Sequence, residues 1–178
     1  MTKWLVGLVV VIASIVATAR PASACGVWTM TDEEKSYEVI YLINSGEITK
    51  GKKRLGAIYL DENPKGLRSV KDRKVVFDVR KDKLTKYGKA IATINADHSV
   101  AFGKRVYAIE LSNPHEQHAG MKEWDLVVKR GDKVIVTSTE ASALCAPMHR
   151  DPPWTNEQMQ DEVRRRVMYY LAWRETGP

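Results

Sequence analysis

The sequence has few cysteines, glycines and prolines. Its 178 residues include two cysteines, 11 glycines and 7 prolines, which excludes a disulfide-dense miniprotein and a collagen-like chain. The 44% hydrophobic and 28% charged residues form a globular composition, which excludes a disordered chain. A chain of this length is expected to fold as one domain.

Familiar catalytic and nucleotide-binding motifs are also missing. The sequence has no Gly-x-Ser-x-Gly or Ser-x-x-Lys pattern, and no Walker loop or Gly-x-Gly-x-x-Gly pattern. Its many carboxylates include no pair that spacing singles out. The sequence therefore favours a non-catalytic function and predicts no cofactor, while leaving the question of enzymatic activity open.

The first 24 residues are predicted to be a signal peptide. Lys3 precedes an apolar run at residues 5–19, which at about 15 residues is shorter than the roughly 20 that a membrane-spanning helix needs. The small residues Ala22 and Ala24 then suit a signal peptidase. An uncleaved membrane anchor is the alternative. We predict an exported protein of the periplasm, cell envelope or extracellular space, with a single mature domain at residues 25–178.

Cys25, the first residue of the predicted mature chain, has two possible roles. The preceding Ala-Ser-Ala resembles a lipobox, so Cys25 could carry the lipid of a bacterial lipoprotein. Alternatively, Cys25 pairs with Cys145, the only other cysteine, since an oxidising compartment permits a disulfide. A lipobox normally carries Leu where this chain has Ala22, and its apolar run is not normally interrupted by Arg-Pro. Both differences favour the disulfide.

Residues from about 37 to 139 are predicted to form short strands. Residues 37–43 are nearly all apolar, and Val75, Phe77 and Val79 alternate with charged residues. Gly131-Asp132 has the pattern of a two-residue hairpin turn with glycine first. The turn spacing gives about eight to ten strands with local connections. We therefore predict an antiparallel meander that closes as a small barrel or roll.

An amphipathic helix is predicted at about residues 156–174. Thr155 and Gln158 have the spacing of a capping box. The segment also has one apolar face at helical spacing and two acid–base pairs four residues apart: the face is Met159, Val163, Val167 and Tyr170, and the pairs are Asp161–Arg165 and Glu162–Arg166. We expect this helix to pack on the sheet.

His115 and His118 form the only histidine cluster. Two residues three apart on a helical turn point the same way, so both rings could bind one metal ion. The spacing is one residue short of the His-Glu-x-x-His motif, and a third ligand would have to come from elsewhere in the chain. A solvated loop that contains two histidines explains the same residues.

Two basic runs are candidates for binding anions. The first contains Lys50, Lys52, Lys53 and Arg54, and the second is residues 164–166 on the predicted helix. Outside the cytoplasm the available anions are phospholipid head groups, lipopolysaccharide and acidic wall polymers, so no nucleic-acid partner is expected. A charged turn that protects a sheet edge is the alternative for the first run.

Gly26-Val27-Trp28, followed by a strand meander and a C-terminal helix, resembles the lipocalin plan in outline, which implies an apolar ligand inside a barrel. This outline does not assign the family.

The function predicted from the sequence is an exported, non-catalytic domain that binds an envelope component or a small ligand through its loops or an open barrel end. The alternatives are a lipoprotein anchored through Cys25, the one case with membrane contact, and a metal-binding protein that uses His115 and His118.

Overall fold

The computed structural model describes residues 27–63, 66–116, 122–143 and 154–178. Within these ranges the chain forms thirteen strands and one helix: β1 (Trp28–Asp32), β2 (Tyr37–Leu42), β3 (Ser45–Lys50), β4 (Lys53–Asn63), β5 (Gly66–Lys71), β6 (Lys74–Val75), β7 (Phe77–Arg80), β8 (Lys83–Lys86), β9 (Lys89–Ile94), β10 (Val100–Phe102), β11 (Arg105–Glu116), β12 (Lys122–Arg130), β13 (Lys133–Ser142) and α1 (Asn156–Thr176).

The strands form one antiparallel sheet in which nearly every strand pairs with its neighbours in the chain. The order is β6-β5-β4-β3-β2-β1-β13-β12-β11-β10-β9-β8-β7. Among the strands of the described residues, only β1 and β13 are neighbours that lie far apart in sequence, and they pair with Thr31 opposite Thr137. The predicted antiparallel meander is therefore confirmed, with thirteen strands in the described chain where the sequence indicated about eight to ten.

The two ends of the strand order meet at Val76. This buried residue separates β6 from β7, which are the first and last strands of the order. Its backbone N–H donates to the carbonyl oxygen of Ser69 in β5 at 2.8 Å, and its own carbonyl accepts from Tyr87 N–H, beside β8, at 2.7 Å. The sheet therefore curves into a nearly closed barrel, as predicted.

The helix α1 begins with the predicted capping box. Thr155 Oγ1 accepts from the backbone N–H of Gln158 at 3.2 Å, and the Gln158 side chain accepts from Thr155 N–H at 2.8 Å. These bonds satisfy two N–H groups that a helix start leaves without partners. The helix runs two residues further than predicted, to Thr176.

The barrel encloses the second half of α1. All eight residues from Arg166 to Trp173 are buried, and because eight residues make more than two turns, every side of the helix is covered. Tyr41 of β2 donates to the Arg166 carbonyl at 2.7 Å, whereas Tyr169 donates to the Leu67 carbonyl in β5 at 2.5 Å. The helix packs on the sheet, and the sheet also curves around it.

Ion pairs and hydrogen bonds compensate the charged residues of α1 that the barrel buries. Arg166 is 1% exposed and pairs with Glu162 at 3.1 Å, as predicted. It also donates to the carbonyls of Leu42 and Ile43 at 3.0 and 3.1 Å. Asp161 pairs with Arg164, three residues on, at 3.2 Å, where the sequence suggested Arg165. A buried arginine with these partners cannot contribute to an exposed basic run.

Candidate functional site

One end of the barrel is formed by six tight turns. In an antiparallel meander alternate turns lie at the same end of the sheet, so the turns at residues 33–36, 51–52, 72–73, 87–88, 103–104 and 131–132 lie together. The C-terminus of α1 reaches this end, because Lys86 Nζ donates to the carbonyls of Thr176 and Gly177 at 3.3 and 3.0 Å. We call it the basic end.

The backbone of these turns follows hairpin rules. Gly131, Gly51 and Gly103 have φ near +60° at the first turn position, which confirms the glycine-first turn predicted at residues 131–132. The turn at 87–88 has positive φ at both positions, 49° at Tyr87 and 79° at Gly88. A positive φ is unusual for a bulky residue such as tyrosine, and it leaves the Tyr87 side chain 56% exposed.

The basic end carries nine exposed cationic side chains on or beside its turns, and within the described residues none of them lies within salt-bridge distance of an acid. Only three exposed acids without an ion pair lie beside the same turns of the described chain. The cations are Lys35, Lys50, Lys52, Lys53, Lys71, Arg73, Lys74, Lys89 and Lys104, and the acids are Glu33, Asp72 and Asp132. The surface is therefore strongly positive.

The predicted anion-binding residues lie in the β3–β4 hairpin, at the basic end. Lys50 pairs with Lys53 across the hairpin, and Lys50 Nζ lies 5.8 Å from the centre of the Tyr37 ring. Arg54 is held by Glu47 at 3.1 Å. Lys50, Lys52 and Lys53 are thus exposed without an acidic partner, and Lys50 also lies against the Tyr37 ring.

Sequence reasoning did not associate the cations of the other turns with this run. Lys71, Arg73 and Lys74 lie together at one turn, and Lys35, Lys89 and Lys104 occur singly at turns that are far apart in sequence. A signal was present in every second turn of the meander. Five of the six turns at this end have a lysine or arginine without an acidic partner at or next to their tips. Reading that signal requires knowing which turns share an end.

A buried network beneath the basic end fastens α1 to the sheet. Arg174 Nε donates to Asp32 Oδ2 at 2.6 Å, and the Tyr170 hydroxyl donates to the same oxygen at 2.6 Å. The other Asp32 oxygen accepts from the backbone N–H groups of Glu34 and Lys35 at 3.0 and 2.8 Å. Burial and the bond to Asp32 raise the pKa of Tyr170, which keeps its hydroxyl protonated.

Glu34 joins this network to the surface. It accepts from Lys133 at 2.9 Å, from Arg130 at 2.8 Å and from Arg174. The hydrogen bonds from Lys133 and Arg174 lower the pKa of Glu34 to about 2. The carboxylate is therefore charged at all ordinary pH values, and it offsets part of the charge of its three cationic partners.

Tyr107 and Glu175 complete the network. The Tyr107 hydroxyl donates to Glu175 Oε1 at 2.5 Å and accepts from Arg174 at 3.1 Å. Glu175 also pairs with Arg105 at 2.5 Å. Burial, followed by the bond to Glu175, raises the pKa of Tyr107. Because the polar groups of the network bond to one another, we interpret the network as a structural element that supports the turns of the basic end.

His115 lies on β11, beyond the regular part of its pairing with β12, at the opposite end of the barrel. Its Nδ1 lies 3.1 Å from the Asn113 carbonyl and its Nε2 lies 3.1 Å from Glu123 Oε2. Since both neighbours are acceptors, the doubly protonated ring fits best. The bond to Asn113 and the Glu123 charge raise the pKa of His115.

The predicted metal site is not assembled by the described residues. His118 lies outside them, and the ranges that the structure describes contain no group of three or more potential metal ligands. The position that a metal would take on His115 Nε2 is occupied by Glu123. The metal site stays a prediction.

Cys25 and Cys145, the two cysteines of the chain, both lie outside the described residues. The disulfide and the lipidation of Cys25 both stay predictions. The predicted signal peptide, residues 1–24, also falls outside the described ranges.

The barrel interior is occupied by the chain itself. Side chains of α1 such as Val167, Tyr170 and Leu171 are 0% exposed and occupy the space where a lipocalin-like outline implies an apolar ligand.

Among the described residues, no helix has the length and apolar character needed to cross a membrane. No family model, curated protein or solved structure matches the chain.

Proposed function

We propose that this chain is an exported, non-catalytic domain that binds an anionic partner through the basic end of its barrel. Export is supported by the predicted signal peptide at residues 1–24. Binding through an end of the barrel, instead of its interior, is supported by the helix that fills the interior. The absence of recognisable catalytic motifs from the sequence is in keeping with a binding function.

The observation that carries the proposal is the set of nine exposed cations without an acidic partner at one end of the sheet. Proteins normally intersperse charges of both signs over their surfaces. A concentration of one sign raises the local potential and speeds the association of an oppositely charged partner. The turns fix the backbone at these positions, so binding has to order the side chains but not the chain that carries them.

Salt-dependent binding to a soluble polyanion tests the proposal. We expect the purified protein to bind immobilised heparin and the variant Lys52→Glu/Lys53→Glu to elute at lower salt, because reversing two charges weakens the attraction and salt screens what remains. The matched control is Lys81→Glu/Lys122→Glu, which changes the net charge equally at the opposite end of the barrel.

The control variant is expected to elute close to the wild-type protein. Equal shifts for both variants would contradict the proposal, because they would show that heparin responds to net charge alone. Failure of the wild-type protein to bind heparin at low salt would contradict it as well.

The state of Cys25 decides between the two predicted forms of the exported protein. A free domain with a Cys25–Cys145 disulfide has an intact mass lower by two protons than the reduced mature chain. A lipoprotein carries additional acyl mass on Cys25 and is anchored through it. Intact mass spectrometry of the mature protein distinguishes these forms directly.

A further inference from the structure

We infer that the partner of the basic end is the surface of an anionic phospholipid bilayer; this inference deepens the function proposed above and rests on it. The first argument is the spread of the cations. Since β6 and β7 follow each other along one edge, twelve strand positions about 4.8 Å apart give a barrel with a circumference of roughly 60 Å and a diameter of roughly 20 Å. One small anion cannot contact cations on turns placed around such a barrel.

The second argument is the common direction of the turns. The cations lie on turns that end the strands on the same side of the barrel, so an extended anionic surface can approach several of them together. Each lysine or arginine near an anionic bilayer adds to the attraction. The densest positive charge lies on two turns near each other around the barrel, with Lys52 and Lys53 at one and Arg73 and Lys74 at the other.

The third argument is the exposed apolar side chains beside the same turns. Tyr87 is 56% exposed at a turn tip, and Val106 and Val134 are 44% and 38% exposed, each two residues beyond a turn. These residues occupy three successive turns along one side of the basic end. Cations beside exposed apolar groups are typical of interfacial membrane binding, in which the apolar groups enter the head-group region.

The apolar residues distinguish a bilayer from a soluble polyanion. A polymer such as heparin is bound by the cations alone, and exposed apolar side chains add little to that interaction. At a bilayer, the ring and hydroxyl of Tyr87 match an environment that is apolar on one side and wet on the other. Loss of the Tyr87 ring should therefore weaken bilayer binding selectively.

Co-sedimentation with lipid vesicles tests the inference. We expect the protein to bind vesicles made of equal parts phosphatidylglycerol and phosphatidylcholine, and not vesicles of phosphatidylcholine alone. Lys52→Glu/Lys53→Glu should weaken binding at least about thirtyfold, because each lost lysine costs about 1 kcal/mol at an anionic surface and each new glutamate is repelled by it. Lys81→Glu/Lys122→Glu should bind like the wild-type protein.

The ring is tested with Tyr87→Asn, because asparagine tolerates a positive φ better than other side chains. We expect vesicle binding to weaken about tenfold and elution from heparin to stay unchanged. The matched control is Tyr59→Asn, since Tyr59 is 49% exposed on the outer wall of the barrel away from the basic end. It should change neither measurement.

The outcomes separate this inference from the proposed function. Binding to heparin without binding to the anionic vesicles would overturn the bilayer inference and leave the proposed function supported. Binding to neither would overturn both. Equal binding to anionic and neutral vesicles would overturn the inference, because an acyl chain on Cys25 or a retained apolar leader would insert into either. Equal effects of Tyr87→Asn on heparin and vesicle binding would also contradict it.

Discussion

Arg174, in the last turn of the helix, and Asp32, in the first strand, form an ion pair with both side chains buried: Nε lies 2.6 Å from Oδ2, and the side chains are 3% and 0% exposed. The bond joins the two elements that are furthest apart in the described chain. Burial of Arg174 acts to lower its pKa, but the bond to Asp32 and the adjacent charges outweigh that effect and raise it. The pair fixes where the helix ends beneath the basic end.

Removing the arginine from this pair should be strongly destabilising. Arg174→Met leaves the Asp32 carboxylate buried without its cation, which typically costs about 3–5 kcal/mol. The loss should appear in the free energy of unfolding measured with denaturant. The matched control is Arg80→Met, since Arg80 is 62% exposed and pairs with Asp78 at 3.0 Å; an exposed pair contributes about 0–1 kcal/mol. Equal losses of unfolding free energy for the two variants would contradict the conclusion that the buried Arg174–Asp32 pair stabilises the fold.

The enclosed helix predicts a difference between two identical substitutions. Leu171 is 0% exposed inside the barrel, whereas Leu42 is 45% exposed on its outer face. Leu171→Ala should reduce the free energy of unfolding by about 2–5 kcal/mol, because it leaves a cavity. Leu42→Ala should cost about 1 kcal/mol or less. A small effect at Leu171 would show that the barrel does not close tightly around the helix.

His115 should make the stability of the fold depend on pH. Its pKa is raised in the folded protein by the Asn113 carbonyl and the Glu123 charge, and Asp125 acts in the same direction. Burial, the largest effect, and the nearby Glu140 raise the pKa of Glu123 although His115 acts to lower it. Both folded groups therefore hold their protons more tightly than in the unfolded chain.

The stabilisation by His115 is fully present below its ordinary pKa of 6.5 and is lost as pH rises through the higher pKa of the folded state. The difference in unfolding free energy between the wild-type protein and His115→Gln should thus shrink above pH 6.5. His98→Asn is the control, because His98 is exposed in a turn at the same end. A difference that grows with pH would contradict the prediction.

Local patterns were sufficient to predict the strands and the start of the helix. Alternation and turn residues identified the meander, and Thr155 with Gln158 identified the helix start, because both depend on residues close in sequence. They could not show that the sheet surrounds the helix. That arrangement depends on Tyr41, Tyr169 and Tyr170, whose partners lie 125, 102 and 138 residues away.

The candidate site was predicted in part for the same reason. Lys52 and Lys53 belong to a local run and were found, whereas Arg73, Lys89 and Lys104 reach the same end only through the strand order. The burial of Arg166 was also not predictable, since its partners Leu42 and Ile43 are more than 120 residues away in sequence. Residue spacing predicts which side chains are neighbours along a strand or helix, but it does not predict contacts between residues so far apart in sequence.

The helix that fills the barrel follows every strand of the described chain. During synthesis the strands emerge first, and the side chains that would complete their core, such as Tyr170 with its partner 138 residues earlier, emerge last. Contacts so distant in sequence slow folding. The barrel of such a chain should therefore close only after the helix has been made, because the strands alone leave its core without these side chains.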